Sequence, residues 1–470
     1  MSQRPPLLIL GMHRSGTSAL SRAMNICGWQ LAARIMPPSP GNPAGYWEPI
    51  EIVRFNDRLL KTIGSHWADP RPLPEGWSER PEVVAMHGEA RDILEAEFPS
   101  LDGIVLKDPR FSRLLPFWER VFEGCAAPPA CLIMSRHPFE VAQSLALREQ
   151  MDLRHGMLLW LAYMLDAEGW SRGRRRATVD YNALLADWRG SLEPTLDAVW
   201  PEARPAMEAG ADELDAFLDK GHRHFAEEAD DLPAAGPAAT LIGRTLDWFR
   251  RADATVAEID AIRADWLAYW ERPEAEAECA AMMEALPSHH FEIATQLKAE
   301  GALPEALQEI DRAIEGAPGT TNYHARRGEI LSGLERFEEA AAAFERAIEI
   351  GGFNPNQLRN LCEACAECGR GDRAVAALRG ALGKAPNIPW LASRLGAKLA
   401  DSGHTAEAQA MIEIALEGDP ENDLHHEGHS KLLEKIGRRE EAIEAMRRAI
   451  AYAEKPRYKK RLKALLAARD

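Results

Sequence analysis

The stretch Gly11-Met12-His13-Arg14-Ser15-Gly16-Thr17-Ser18 holds the densest chemistry in the front of this 470-residue chain, directly after the apolar run Leu7–Leu10. Glycine at each end permits positive φ and close approach of the backbone. Successive N–H groups of such a loop point inward, and a helix opening at Thr17 adds its dipole. That is a cradle for phosphate. Gly11 and Gly16 have the spacing of the nucleoside-triphosphate loop G-x-x-x-x-G-K-S/T, but Thr17 stands where that motif has lysine. The basic residue lies inside the loop instead, at Arg14. The group that reaches the β/γ-phosphates of a triphosphate is missing, so a P-loop kinase is only an alternative reading.

The loop resembles that of the sulfotransferase family: Pro or His, then Lys or Arg, then Ser-Gly-Thr and a further Thr or Ser. The resemblance implies 3′-phosphoadenosine-5′-phosphosulfate (PAPS) as sulfuryl donor, without a metal. Its phosphosulfate end would lie on His13, Arg14, Ser15, Gly16, Thr17 and Ser18. A second segment supports it: Ser135-Arg136-His137-Pro138, with Ser144 eight residues after the arginine. In the family this Arg–Ser pair holds the donor's 3′-phosphate, a task that suits bidentate guanidinium. Leu106-Lys107-Asp108-Pro109-Arg110, Gly45-Tyr46-Trp47-Glu48, Phe55-Asn56-Asp57 and Asp180-Tyr181-Asn182-Ala183-Leu184-Leu185 resemble segments of the tyrosyl-protein and bacterial branches. The late glycine-rich RKG segment of the cytosolic branch is not found. Arg223 or the run Arg172–Arg176 stand as substitutes for its phosphate contact.

Sulfuryl transfer to a hydroxyl needs a base for the acceptor proton and cations at the bridging oxygen where charge develops. The resemblance puts Arg14 in the second role, helped by backbone N–H groups of residues 15–18, with Lys107 as a further cation. Glu48 is the first choice of base, because carboxylate bases occur in the branches resembled. Its neighbours Tyr46 and Trp47 are expected to raise its pKa by desolvation. Glu51, Asp57 and His13 are its rivals. The acceptor is expected to be a saccharide, with a protein as runner-up.

These side chains need elements to hold them. Pro6–Leu10, Gly103–Leu106, Ala130–Met134 and Ala177–Asp180 are short apolar runs that read as buried strands. Helical spacing over 17–27, 50–62, 81–97, 112–123, 138–149 and 154–171 alternates with them. Such alternation predicts an α/β domain with a central parallel sheet, and the sulfotransferase resemblance implies that this domain is P-loop-like.

The last third repeats itself. Alanines recur at Ala306, Ala340, Ala374, Ala408 and Ala442, in steps of 34 residues. Twelve residues before them stand Ala294, Gly328, Cys362, Gly396 and Ser430, and four after them Ile310, Phe344, Leu378, Ile412 and Met446. Each unit reads as two helices in close contact through small residues, with proline at Pro318, Pro386 and Pro420 closing three units. Period and pattern resemble the tetratricopeptide repeat, five units and a capping helix forming an all-α superhelix. A protein or peptide partner is expected in its groove, lined by Arg326, Glu329, Asn360, Glu363, Arg394 and Lys398. Cys362 and Cys365 occupy packing positions, so they read as buried thiols rather than a metal site. His289, His290, His425 and His426 at repeat starts read as surface residues.

The expected organisation is a sulfotransferase domain over 1–230, an acidic helical connector over 231–287 with a joint near Asp231–Ala239, and the repeats over 288–470; the helical, acidic residues 190–287 are expected to complete the first domain and then lead into the repeats. Net charge is −17. Residues 190–287 carry 8 basic against 22 acidic side chains, whereas residues 1–189 are balanced. That argues against nucleic acid as a partner. Seven scattered cysteines, no long apolar run and no export signal predict a cytoplasmic protein without an integral membrane segment. A non-catalytic repeat scaffold is the second alternative.

Overall fold

The computed structural model describes residues 4–38, 45–125, 127–218, 236–382, 384 and 388–467. They divide into two compact units, Met1–Leu286 and Pro287–Asp470. The first unit is built on a parallel sheet of β1 (Leu7–Leu10), β2 (Val105–Lys107), β3 (Ala130–Ser135) and β4 (Arg176–Asp180), in the order β2-β1-β3-β4. All four strands lie where the apolar runs place them, shifted by a residue or two at their ends.

Both faces of the sheet are covered, which is why its central strands are apolar throughout. Leu8, Leu10, Leu106, Cys131 and Ile133 face one core, with the helices Ile50–Thr62, Phe111–Val121 and Leu153–Trp170. Leu7, Ile9, Val105, Leu132, Met134 and Val179 face the other, with the helices Thr17–Ile26 and Trp188–Val199. β1 leads to β2 on one side, while β3 pairs on its other side. The crevice between the C-terminal ends of β1 and β3 is therefore a switch point, where open parallel sheets bind ligands.

The acidic segment belongs to the first unit. Its helices Pro237–Arg250, Val256–Trp270 and Pro273–Glu284 bury Leu241, Ile242, Ile259, Trp266 and Ala275 in the first core. Their charges lie outside a narrow apolar stripe, so composition alone hides the packing. The boundary expected at 230 and most of the expected joint fall in 219–235, outside the described residues, as does Arg223.

The second unit consists of helix pairs: Pro287–Glu300 with Leu303–Gly316, Thr321–Gly333 with Phe337–Gly351, and Pro355–Glu367 with Gly371–Ala381. Ile388–Asp401 with Thr405–Gly418, Asp423–Lys435 with Arg439–Tyr452, and a last helix Pro456–Ala467 complete it. The first helix of each pair is called A, the second B. Small residues do what the spacing requires: a Cβ at Gly328 would lie 2.7 Å from the Phe344 ring. The A–B turns carry a left-handed residue at Gly301, Glu335, Gly369, Gly403 and Gly437. Tyr458 is fully buried and anchors the last helix. Pro386 lies outside the described residues. Among the described residues, no helix is long and apolar enough to cross a membrane.

Candidate functional site

The loop after β1 bends through three positive-φ residues: Gly11 at 131°, Arg14 at 67° and Gly16 at 93°. Gly11 is needed because a Cβ there would sit 2.6 Å from the Met134 carbonyl oxygen of β3. Its N–H donates to Ser112 Oγ at 2.8 Å, which fixes the loop's entry. The Ser15 N–H closes a turn onto the Met12 carbonyl at 3.2 Å. It is therefore not one of the inward donors expected from residues 15–18. The donors left to an anion are the first N–H groups of the helix Thr17–Ile26, which has no side-chain cap and no acidic residue in its first turn. The Ser15 hydroxyl is fully buried and meets no hydrogen-bond partner.

Arg14, Arg136 and Ser144 converge here. Arg14 Nε donates to Ser144 Oγ at 2.8 Å. Arg136 donates to the Arg14 carbonyl at 3.0 Å and to Glu140 Oε2 at 2.7 Å. Its guanidinium also lies 4.7 Å over the Tyr181 ring. Ser144 thus meets the loop arginine, while Arg136 braces the loop's backbone. Burial, then the charge of Arg148, lowers the Arg14 pKa from the ordinary guanidinium value.

A second cluster ties β2 to the same helix start. Buried Lys107 donates to Glu48 and, at 3.2 Å, to Ser18 Oγ, which in turn donates to the Tyr46 carbonyl at 3.2 Å. Glu48 is therefore buried against an ammonium. Trp47 packs on Phe217, with ring centres 6.5 Å apart. The Asn56-Asp57 and Asp108–Arg110 segments form one network. Asn56 donates to Asp108 at 2.8 Å, and Arg110 pairs with Asp108 at 3.0 Å and Asp57 at 2.9 Å. Asp57, expected as a rival base, is engaged there. Glu51 pairs with Arg54 at 2.9 Å on its own helix.

His13 is 9% exposed, with Nε2 meeting no partner. Its ring centre is 4.9 Å from Trp67 and 6.0 Å from Tyr163. Burial, then the charges of Arg110, Arg148, Lys107 and Arg14, holds its pKa well below the ordinary imidazole value. The segment carrying Trp67 is clamped by its carbonyls. Tyr163 donates to Trp67 at 2.7 Å, His155 bonds Ala68 at 2.7 Å, and buried Arg113 donates to those of Asp69 and Arg71.

Sequence reasoning missed Glu140, Arg148, Trp67 and Tyr163. Glu140 stood one helical turn from Arg136, a legible signal. Trp67 had none, because only the fold brings it to His13. Three of the four arginines in the run Arg172–Arg176 are engaged elsewhere. Arg172 pairs with Glu168 and Asp260 at 2.7 Å each, Arg174 with Glu119, and Arg176 with Glu168 at 3.3 Å.

In the repeats, the expected polar groove is largely paired with itself. Lys298 and Arg326 share Glu329 at 2.6 and 3.1 Å, Arg394 pairs with Glu363, and Lys398 with Glu367. Trp390, 53% exposed, stands among them with Arg394 over its ring at 5.1 Å. His425 and His426 are buried, not on the surface, because the repeat start packs against its neighbours. Cys362 and Cys365 are buried in the repeat core.

The tetratricopeptide repeat model matches residues 291–355, 326–389 and 394–458. No curated protein matches the chain. Among solved structures it is similar to YrrB, described as a TPR protein with an unusual peptide-binding site, at 21% identity over 41% of this chain and 98% of that one, TM-score 0.30. It is similar to MamA from Desulfovibrio magneticus RS-1 at 14% identity over 35% of this chain and 94% of that one, TM-score 0.28. It is also similar to a thermophilic TPR protein of Thermus thermophilus at 19% identity over 38% of this chain and 99% of that one, TM-score 0.23. The C-terminal region of this chain therefore consists of tetratricopeptide repeats.

Proposed function

We propose that the protein is a tetratricopeptide protein-interaction scaffold whose first unit transfers a sulfuryl group from PAPS to a hydroxyl of a saccharide or protein acceptor. The scaffold half rests on the repeat match over 291–458. The partner is a protein or peptide segment held on the A helices. The transferase half rests on one observation: the loop after β1 and Arg136 after β3 meet at the switch point of the sheet, with Arg14 bonded to Ser144 across it.

In this reading the helix start at Thr17 and the hydroxyls of Ser15, Thr17 and Ser18 hold the phosphosulfate. Arg14 and Lys107 face the charge that develops on the bridging oxygen. Arg136 and Ser144 take the 3′-phosphate, with Arg136 held by Glu140. Glu48 keeps Lys107 in place. Calorimetry in EDTA should show binding of the donor product, adenosine 3′,5′-bisphosphate, with ATP a poor competitor. Tight Mg-ATP binding would restore the kinase. Binding of neither would leave the scaffold as the protein's function.

A further inference from the structure

We propose that His13 is the proton acceptor of the transfer, and that a donor bound against the surrounding cations is what makes its Nε2 a working base. This rests on the transferase reading above. The imidazole is nine-tenths buried, its ring held by Trp67 and Tyr163, and its Nε2 meets no protein group. Such an orphaned nitrogen beside an anion loop asks for a ligand atom.

The charged groups around it come from every neighbouring element. Arg14 belongs to the loop, Lys107 to the end of β2, Arg110 to the segment after it, and Arg148 to the helix Pro138–Glu149. Their carboxylate partners are Glu48 for Lys107, Asp108 and Asp57 for Arg110, and Glu149 for Arg148. Trp67 and Tyr163 are uncharged, and His66 lies 5.6 Å beyond Trp67. In the free protein, a proton on His13 would add positive charge to a buried, already cationic site. A phosphosulfate lying on the same cations offsets their field. The imidazole then gains basicity only when there is something to transfer.

The step balances. The acceptor O–H proton passes to Nε2 while an oxygen electron pair forms the new O–S bond. The S–O bond to the 5′-phosphate breaks, and its electron pair leaves on the phosphate oxygen of adenosine 3′,5′-bisphosphate. The imidazolium then returns its proton to solvent. Glu48, engaged by Lys107, holds that cation throughout.

The test is an NMR titration of histidine-labelled full-length protein, with the His13 signal assigned by His13→Gln or, should that variant not fold, His13→Asn. The free protein should show His13 titrating well below an ordinary imidazole. Saturation with adenosine 3′,5′-bisphosphate should move that titration up by about one pH unit or more. Bound bisphosphate with an unmoved His13 titration overturns the proposal. No bisphosphate binding at all overturns the transferase reading instead. In turnover assays His13→Gln should lose about 10²–10⁴-fold and flatten the acid limb of the pH–rate profile. A near-normal rate with that limb intact gives the base to Glu48.

Discussion

The hydrogen that Gly16 carries in place of a side chain decides how closely Tyr181 closes on the loop. A Cβ there would lie 2.1 Å from Tyr181 Cδ2, in a backbone with φ of 93°. Tyr181 in turn supports Arg136. We predict that Gly16→Ala costs about 1–3 kcal/mol from backbone strain alone, plus the displaced ring. Thermal unfolding should read the loss, and bisphosphate affinity should fall at least about tenfold with Arg136 unsupported. His13 has its own signature in stability. Its native pKa is lowered, so between that value and the ordinary imidazole range the unfolded chain binds more protons. Stability should therefore be full above about pH 6.5 and decline as the pH falls toward the native value. Urea unfolding at pH 7 and 5.5 should show a smaller decline for His13→Gln than for the unsubstituted protein. The loop itself was legible because its residues are contiguous. The partner of Glu48 was not, since Lys107 lies 59 residues away and only the strand order brings them together.

At the scale of elements, the repeat turns show one exception that can be measured. Four of the five A–B turns place glycine at their left-handed position, and the second places Glu335 there at φ of 59°. Left-handed backbone strains any residue with a Cβ. Glu335→Gly should raise stability by about 0.5–1 kcal/mol, the strain relieved exceeding glycine's added unfolded-state entropy. The check is the urea midpoint at unchanged slope. The register of the units was readable because each packs only on its neighbours, so small and large residues return at the same offset. The recurrence of glycine at 301, 369, 403 and 437 carried the same period, but as a backbone requirement rather than a packing one. Strand ends were legible to within a residue or two for a similar local reason: apolar runs buried on both faces stop where polar loops begin.

At the scale of the molecule, each unit encloses its own hydrophobic cores. A fragment of residues 287–470 should melt cooperatively as a helical protein without transferase activity. A fragment of residues 1–286 should bind adenosine 3′,5′-bisphosphate. A folded 1–286 fragment that does not bind it, while the full-length chain does, would show that the repeats complete the site. In the acidic segment the helical character was legible, but its particular contacts were not. Its amphipathic stripe is narrow, and its place in the first core depends on contacts with helices far away in sequence, such as Leu153–Trp170.

The ion pairs between successive A helices have a mechanical consequence. Lys298–Glu329, Arg394–Glu363, Lys398–Glu367 and Lys435–Asp401 each strap one repeat to the next, and Arg457–Glu427 straps the last helix to the fifth. Each strap is worth little in folding stability, and each is weakened by salt. Parting the A helices pulls directly on these straps, so the array should yield a little more easily in brine than in dilute buffer while the apolar packing keeps every repeat folded.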